Sequence, residues 1–250
     1  MTLSQDRLET KLAGRAVRFF PQIGSTNDFA RRWLSDGAAS GALVVTDEQV
    51  TGRGRLGRQW LTPPGTAIAA SLILRPQRDA FPQMTMLGAL AVAEMLDGLG
   101  LSGVSIKWPN DVRIEGRKVC GVLVEATWQG DQLLGVVLGM GINVRVDFSD
   151  TPLADTAASI EPALGQRVDR ADILAALLAR IDHWLPQLGT EALFIAWKSR
   201  LDSLGQTITI KRPHGDLSGV AEAVEADGTL CLRAADGVLH RVVAGDITPG

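Results

Sequence analysis

Residues 118–144 read KVCGVLVEATWQGDQLLGVVLGMGINV. Lys118 to Thr127 and Gln132 to Val144 are two apolar runs rich in branched side chains, and Gln129-Gly130-Asp131 between them is short enough to be a hairpin turn. Glu115-Gly116-Arg117 makes a second such break, preceded by the short strand-like segments Val104 to Trp108 and Val112 to Ile114. Strands joined by links this short pair antiparallel, so this block predicts a largely antiparallel sheet.

Outward from that block, Ala42 to Thr46 and Thr66 to Leu74 add strands. Met86, Leu87, Leu90, Ala91, Ala93, Leu96 and Leu99 mark a long helix from Pro82 that closes at Gly100. Ser25-Thr26-Asn27-Asp28 offers caps for a helix in which Phe29, Ala30, Trp33 and Leu34 recur at helical spacing up to Gly37. Asp147 to Pro162 reads as a surface loop, and helices follow over Asp169 to Leu188 and Thr190 to Leu201. After Gly205 the period changes to two, over Thr207 to Lys211, Gly219 to Glu225, Thr229 to Leu232 and Val238 to Val243, with turns at Asp227-Gly228 and Asp236-Gly237. The expected architecture is α+β: a central mixed, largely antiparallel sheet flanked by helices on one side, in a domain over 1–204, then a small C-terminal β-barrel over 205–250.

Composition narrows the function classes. Hydrophobic residues make up 46% of the 250 and charged residues 21%, a globular balance, and the formal charge of −3 gives no global attraction for nucleic acid or an anionic membrane. No stretch has the roughly 18 uninterrupted apolar residues of a membrane helix, and Met1 to Ala16 lacks the apolar run of a signal peptide. Cys120 and Cys231 stand far apart, which fits a reducing cytoplasm. His183, His214 and His240 are scattered without ligand spacing, against a metal hydrolase, and Ser71 lacks the surroundings of a hydrolase nucleophile.

Four motifs carry chemistry. In Gly52-Arg53-Gly54-Arg55-Leu56-Gly57-Arg58-Gln59-Trp60, glycines let backbone amides approach a ligand while guanidinium forks match carboxylate and phosphate oxygens. A solvated or RNA-binding Arg/Gly loop is the plain alternative, but a short repeat anchored to a strand in an acidic chain favours a small anion. Lys107-Trp108-Pro109-Asn110-Asp111 is a proline turn that presents an amide and a carboxylate; alone it is simply a good turn. Lys118 opens an otherwise buried strand, although a lysine is by default a surface residue. Gly139-Met140-Gly141-Ile142-Asn143 leaves one strand face bare, open to a flat ligand or to tight packing.

Taken in order, Ser25-Thr26-Asn27, Asp47-Glu48-Gln49, the Gly52 to Arg58 loop, Lys107 to Asp111, Gly116-Arg117-Lys118 with Gly121 and Glu125, and Gly141-Ile142-Asn143 resemble the biotin protein ligases. The resemblance spans residues 17 to 245. Two features depart from that pattern: Gly65 to Ala70 lacks the usual Asn-Leu-Tyr strand start, and no helix-turn-helix domain precedes residue 17, as expected of a form that catalyses without repressing.

The resemblance implies an SH3-like terminal barrel and a two-step reaction. The biotin carboxylate attacks the α-phosphate of ATP, giving biotinyl-5′-AMP and pyrophosphate, and a lysine of a biotin carboxyl carrier protein domain then displaces AMP. It assigns Ser25, Thr26, Asn27 and Gln49 to the biotin head, and Arg53, Gly54 and Arg55 to the carboxylate and phosphate. Lys118 would bridge the reacting oxygens, making Lys118, Arg53 and Arg55 the catalytic set. Arg58, Trp60, Lys107, Gly121 and Gly141 complete the binding set, Trp108, Asn110 and Asn143 lie towards the adenylate, and Asp111 is the expected contact for Mg²⁺. Bringing a carboxylate to a triphosphate costs about 4 kcal/mol per charge pair at 4 Å and an effective dielectric near 20, so fixed cations are required. A lipoate-type ligase and a non-catalytic nucleotide- or RNA-binding module remain as alternatives. An exposed sheet edge is expected to pair either with the acceptor domain or with a second copy of the chain, and no nucleic-acid or membrane partner is expected.

Overall fold

Gly130, at φ +57°, makes the turn between β6 (Arg117–Gln129) and β7 (Gln132–Asn143), in register from Cys120 opposite Ile142 to Gln129 opposite Gln132 with a bulge at Thr127/Trp128. The structure is a computed structural model and describes residues 2–212 and 215–249. His214 therefore lies outside the described residues.

The hairpin is the spine of a seven-stranded sheet. Its other strands are β1 (Val17–Ile23), β2 (Leu43–Gln49), β3 (Ala67–Leu74), β4 (Val104–Lys107) and β5 (Asp111–Ile114), in the order β1-β2-β3-β7-β6-β5-β4. All pairs are antiparallel except β1 with β2, which are parallel because helix α2 (Thr26–Ser35) carries the chain across between them. β1 is a strand the sequence did not announce. It is an edge, and Pro21 in its middle removes a ladder donor that only an edge can spare.

Side chains alternate across the sheet, and the two faces have different covers. Leu72, Leu74, Val122, Leu138 and Met140 face the main core, which includes α3 (Met84–Gly98), α5 (Arg170–Trp184) and α6 (Glu191–Lys198). Helix α3 is buried on nearly every side, and a Cβ on Gly88 would come within 2.9 Å of Leu138 and Val122, so glycine sets how closely the helix meets the sheet. On the opposite face, Ala30 and Leu34 of α2 pack on Val44, Ile73 and Val137. Helices thus cover both faces rather than the one expected. Because α2 is only ten residues long, it leaves the part of its face around Gly139 and Gly141 to other occupants.

Two further helices lie where no helix was expected. One is α1 (Gln5–Lys11), whose Gln5 Nε2 donates to Val17 O and whose Oε1 accepts from Phe19 N, capping half of the β1 edge. The other is α4 (Ile160–Leu164), which ends the segment read as a loop and tolerates Pro162 in its first turn.

The C-terminal sheet comprises β8 (Thr207–Lys211), β9 (Leu217–Val224), β10 (Leu230–Arg233), β11 (Leu239–Val242) and β12 (Asp246–Pro249), all antiparallel in the order β11-β10-β9-β8-β12. It is the small SH3-like unit expected, with β12 as an additional strand. Trp108, 1% exposed, ties it to the larger sheet: its indole Nε1 donates to Gly228 O at 2.8 Å and its backbone N–H to Ser203 Oγ at 3.1 Å.

Candidate functional site

On the open half of the sheet, successive residues of β7 that share this face meet different partners. A Cβ on Gly135 would meet Leu34 at 2.9 Å, one on Gly139 would meet Asn27 Oδ1 at 2.3 Å, and one on Gly141 would meet the Trp60 indole at 2.4 Å. The bare strand face noted in the sequence is thus a floor for α2, then for the Asn27 amide, then for an aromatic ring.

The start of α2 forms an uncharged hydrogen-bonding cluster. Ser25 caps the helix, its Oγ accepting from Asp28 N. Thr26 donates to Gln49 Oε1 from its backbone N at 2.9 Å and from its hydroxyl at 3.0 Å. Ser71, buried on β3, donates to Asn27 Oδ1 at 2.6 Å and lies 2.8 Å from Thr26 Oγ1, while Asn27 Nδ2 donates to Glu125 Oε2 at 2.7 Å. Glu125 in turn belongs to an ion-pair group with Arg53 and Arg31. Ser71 was read from sequence only as an unsuitable nucleophile. Its role here is to hold Asn27.

The Arg/Gly loop is pinned by Gly54 N donating to Arg58 O at 2.7 Å and Trp60 N to Gly52 O at 2.9 Å. A Cβ on Gly52 would lie 2.4 Å from Trp60 O, so this closure requires glycine. Trp60 is thereby laid over Gly141 and Gly121, with Lys118 Nζ 5.4 Å from its ring centroid. The Trp60 Nε1 is buried with no partner, a donor still to be satisfied.

Around this ring stand the cations, and nearly all have carboxylate partners. Arg53 pairs with Asp28 at 2.6 Å, Lys118 with Asp111 at 2.6 Å, and Arg58 with Asp246 at 2.5 Å, with Lys107 3.4 Å from the same Asp246. The hydrogen bond that Arg53 donates to Asp28 is the main reason the Arg53 pKa lies above its ordinary value. Burial of Asp246 opposes its charge, but Arg58 and Lys107 outweigh that and hold its pKa below the usual carboxylate range. Arg55 differs. Its partner is the neutral Asn110 Oδ1 at 3.0 Å, Asn110 being oriented by its own donation to Val122 O at 2.8 Å. Burial lowers the Arg55 pKa, opposed only by the more distant Asp111 and Asp246.

These groups surround one cavity of about 450 Å³, lined by every residue assigned a catalytic, binding or metal role from the sequence except Trp108. Trp108 is corrected to a core residue: it lies in the turn directly after β4, outside the cavity lining, and its indole is buried and held inside by donation to Gly228 O. Asn143 is buried and donates to Ala158 O at 3.1 Å, which fixes the segment carrying Leu153, Thr156 and Ala157 as a further wall. Two charged lining residues were not foreseen, Arg113 on β5 and Asp246 on β12. Among the described residues no group of three or more His, Cys, Asp or Glu side chains gathers to hold a metal. Asp111 stands as a single carboxylate already occupied by Lys118.

Residues 19–143, half of the chain and the part that builds most of this cavity, match the model of the biotin/lipoate A/B protein ligase family, and residues 203–248 match the biotin protein ligase C-terminal domain. The chain belongs to the biotin/lipoate A/B protein ligase family. Within that family it is 32% identical to the bifunctional ligase/repressor BirA of Bacillus spizizenii, over 97% of this chain and 77% of that protein. It is 34% identical to a biotin–acetyl-CoA-carboxylase ligase of Paracoccus denitrificans, over 85% of this chain and 92% of that one. A solved biotin protein ligase from Aquifex aeolicus, in complex with biotin and ATP, superposes with a TM-score of 0.79 at 26% identity, covering 93% of this chain and 97% of its own. No helix among the described residues of this ligase-family chain is long and apolar enough to cross a membrane.

Proposed function

We propose that this chain is an ATP-dependent biotin protein ligase, which condenses biotin with ATP to biotinyl-5′-AMP and pyrophosphate and passes the biotinyl group to a lysine of a biotin carboxyl carrier protein domain. The observation that carries this reading is the order of groups along one bare strand face: uncharged amide and hydroxyl groups at Gly139, an indole at Gly141, and lysine and arginine donors around that indole. A ligand with a neutral polar head and a reacting carboxylate that must meet a phosphate fits that order.

Each residue has a definable task. Because Gln49 Oε1 is taken by two donors from Thr26, its Nε2 is left to donate to the biotin head, beside Asn27 and Ser25. Arg55, with only a neutral amide for a partner, is the cation most available to the carboxylate and the α-phosphate. Lys118, released from Asp111, stabilises negative charge as the carboxylate oxygen bonds to phosphorus and pyrophosphate departs. Arg53 exchanges Asp28 for the same anionic centre, and Trp60 shields it from water. Mg²⁺ takes one or two carboxylates together with substrate phosphates, and when bound supplies neutralising charge to the triphosphate. Asp111 is the lining carboxylate that would touch it, at the cost of its Lys118 pair. In the second step the amine displaces AMP, and the same donors stabilise the departing phosphate.

The acceptor or a second copy of the chain would meet the larger sheet at β1. The β4 edge is covered, Ile106 N donating to Arg200 O and Asp202 N to Ile106 O, whereas beyond Phe19 the β1 edge is not capped by Gln5. We divide the chain into a catalytic domain over 1–204 and the small barrel over 205–250. Two unpaired, buried cysteines fit a reducing cytoplasm.

Mass spectrometry of the purified protein after mixing with biotin, ATP and Mg²⁺ tests the reading. A retained adenylate is expected, with pyrophosphate released in equal amount. Calorimetry with biotin and lipoic acid is expected to show binding of biotin only; preference for lipoic acid would move the chain to the lipoate branch of the family.

A further inference from the structure

We propose that Asp246 is an exchangeable counter-ion for the pyrophosphate end of the cavity, holding Arg58 and Lys107 when no polyanion is bound and yielding them when one arrives. This rests on the ATP-dependent reading above. Asp246 is 188 positions from Arg58 and belongs to the C-terminal sheet, yet its two oxygens reach two cations of the catalytic domain, at 2.5 Å and 3.4 Å. Residues 245–248 line the cavity, so the carboxylate stands inside the site.

The two sides of this contact are unequally fixed. Asp246 opens a paired strand, facing Lys211 in the register with β8, and the next residue, Ile247, is buried. A Cβ on the preceding Gly245 would come within 2.6 Å of Ile210, so the backbone there is closely packed. The C-terminal sheet is also anchored independently of Asp246, through the Trp108 indole to Gly228 O. Arg58, by contrast, is 64% exposed at the end of the glycine-rich loop. An incoming polyanion therefore moves the guanidinium, while the carboxylate stays and repels it. That fixed negative charge weakens the hold on pyrophosphate once it has formed, which favours its departure. Asp246 is thus a positioning and release residue and touches no reacting atom.

Calorimetric titration of the full chain with inorganic pyrophosphate tests this. Asp246→Asn keeps the shape and an acceptor oxygen but removes the charge, and is expected to bind pyrophosphate about tenfold more tightly, the scale of one screened charge pair. Biotin affinity should stay within about twofold, since the head-binding groups are untouched. Arg58→Gln should weaken pyrophosphate binding, and in the double variant the gain from Asp246→Asn should fall well below its single-variant value. Asp246→Ser is measured alongside, so that a poorly folded Asn variant does not decide the matter. Unchanged or weaker pyrophosphate binding in both Asp246 variants, with wild-type protein binding ATP and pyrophosphate, overturns this inference alone. Failure of the wild-type protein to bind either ligand overturns the ATP-dependent reading and this inference with it.

Discussion

Replacing Lys118 with alanine separates catalysis from stability. The ammonium lies 2.6 Å from Asp111, with the two side chains 34% and 16% exposed, so the pair sits between an exposed bridge and a buried one. Exposed pairs contribute about 0–1 kcal/mol and breaking a fully buried one costs about 3–5 kcal/mol, so Lys118→Ala should cost about 2 kcal/mol of stability, mostly from the carboxylate left without a partner. The rate loss has another origin, the missing donor at the reacting oxygens, and should be about 100- to 1,000-fold in adenylate formation, or about 3–4 kcal/mol of barrier. Adding Asp111→Asn removes the orphaned charge and should return most of the lost stability without returning the rate. Urea denaturation measures the first quantity and exchange of labelled pyrophosphate into ATP the second. Exchange at the normal rate in Lys118→Ala removes Lys118 from the chemistry. Recovery of rate together with stability in the double variant would reduce its role to folding.

Three further expectations follow from the same geometry. Gly139→Ala puts a methyl 2.3 Å from Asn27 Oδ1, which must break the bonds to Ser71 and Glu125, so biotin affinity should fall by about tenfold or more while the fold survives; unchanged affinity by calorimetry would refute the clash. Arg55→Ala should speed dissociation of the adenylate far more than it weakens biotin, because only the adenylate carries the phosphate, and equal losses would count against that assignment. Glu161 is held by Arg145, with its pKa lowered from 4.5 to about 2, so the stability it contributes is complete above its unfolded value near 4.5 and is lost as pH falls through about 2. The stability gap between wild type and Glu161→Gln should therefore shrink steadily on acidification below pH 4.5, and a gap constant down to pH 2.5 would show that the carboxylate is not held this way.

The sequence made the antiparallel block legible because its strands are long, apolar and separated by glycine turns, so period and punctuation agree. β1 escaped because Arg18, Pro21 and Gln22 interrupt an edge strand in which only Val17 is fully buried, and β12 because four residues after a glycine carry no period at all. The site was legible where its chemistry is local in the chain, as in the loop from Gly52 to Trp60 and the turn from Lys107 to Asp111. Asp246, Arg113 and Ser71 were not, since each acquires its role only when distant strands are brought together. Trp108 shows the converse failure: nearness in sequence to Lys107 and Asn110 drew it into the site, although its ring turns inward and bonds to Gly228 O.

The pairing of the cations explains how so many positive charges can share one cavity. Arg53, Arg58, Lys107 and Lys118 would repel one another strongly if left bare, and Asp28, Asp246 and Asp111 relieve that repulsion. Ligand binding at these positions is then an exchange of one anion for another, which returns little net energy, and a monoanion such as the biotin carboxylate has little to gain from it. Arg55 is the exception, since Asn110 gives it a hydrogen bond without cancelling its charge, and its partial burial strengthens whatever it meets. Affinity for biotin alone must therefore come mainly from the uncharged cluster at Thr26, Asn27 and Gln49. The adenylate adds a phosphate for Arg55 to hold, which is why comparing the two ligands in Arg55→Ala discriminates better than either affinity alone.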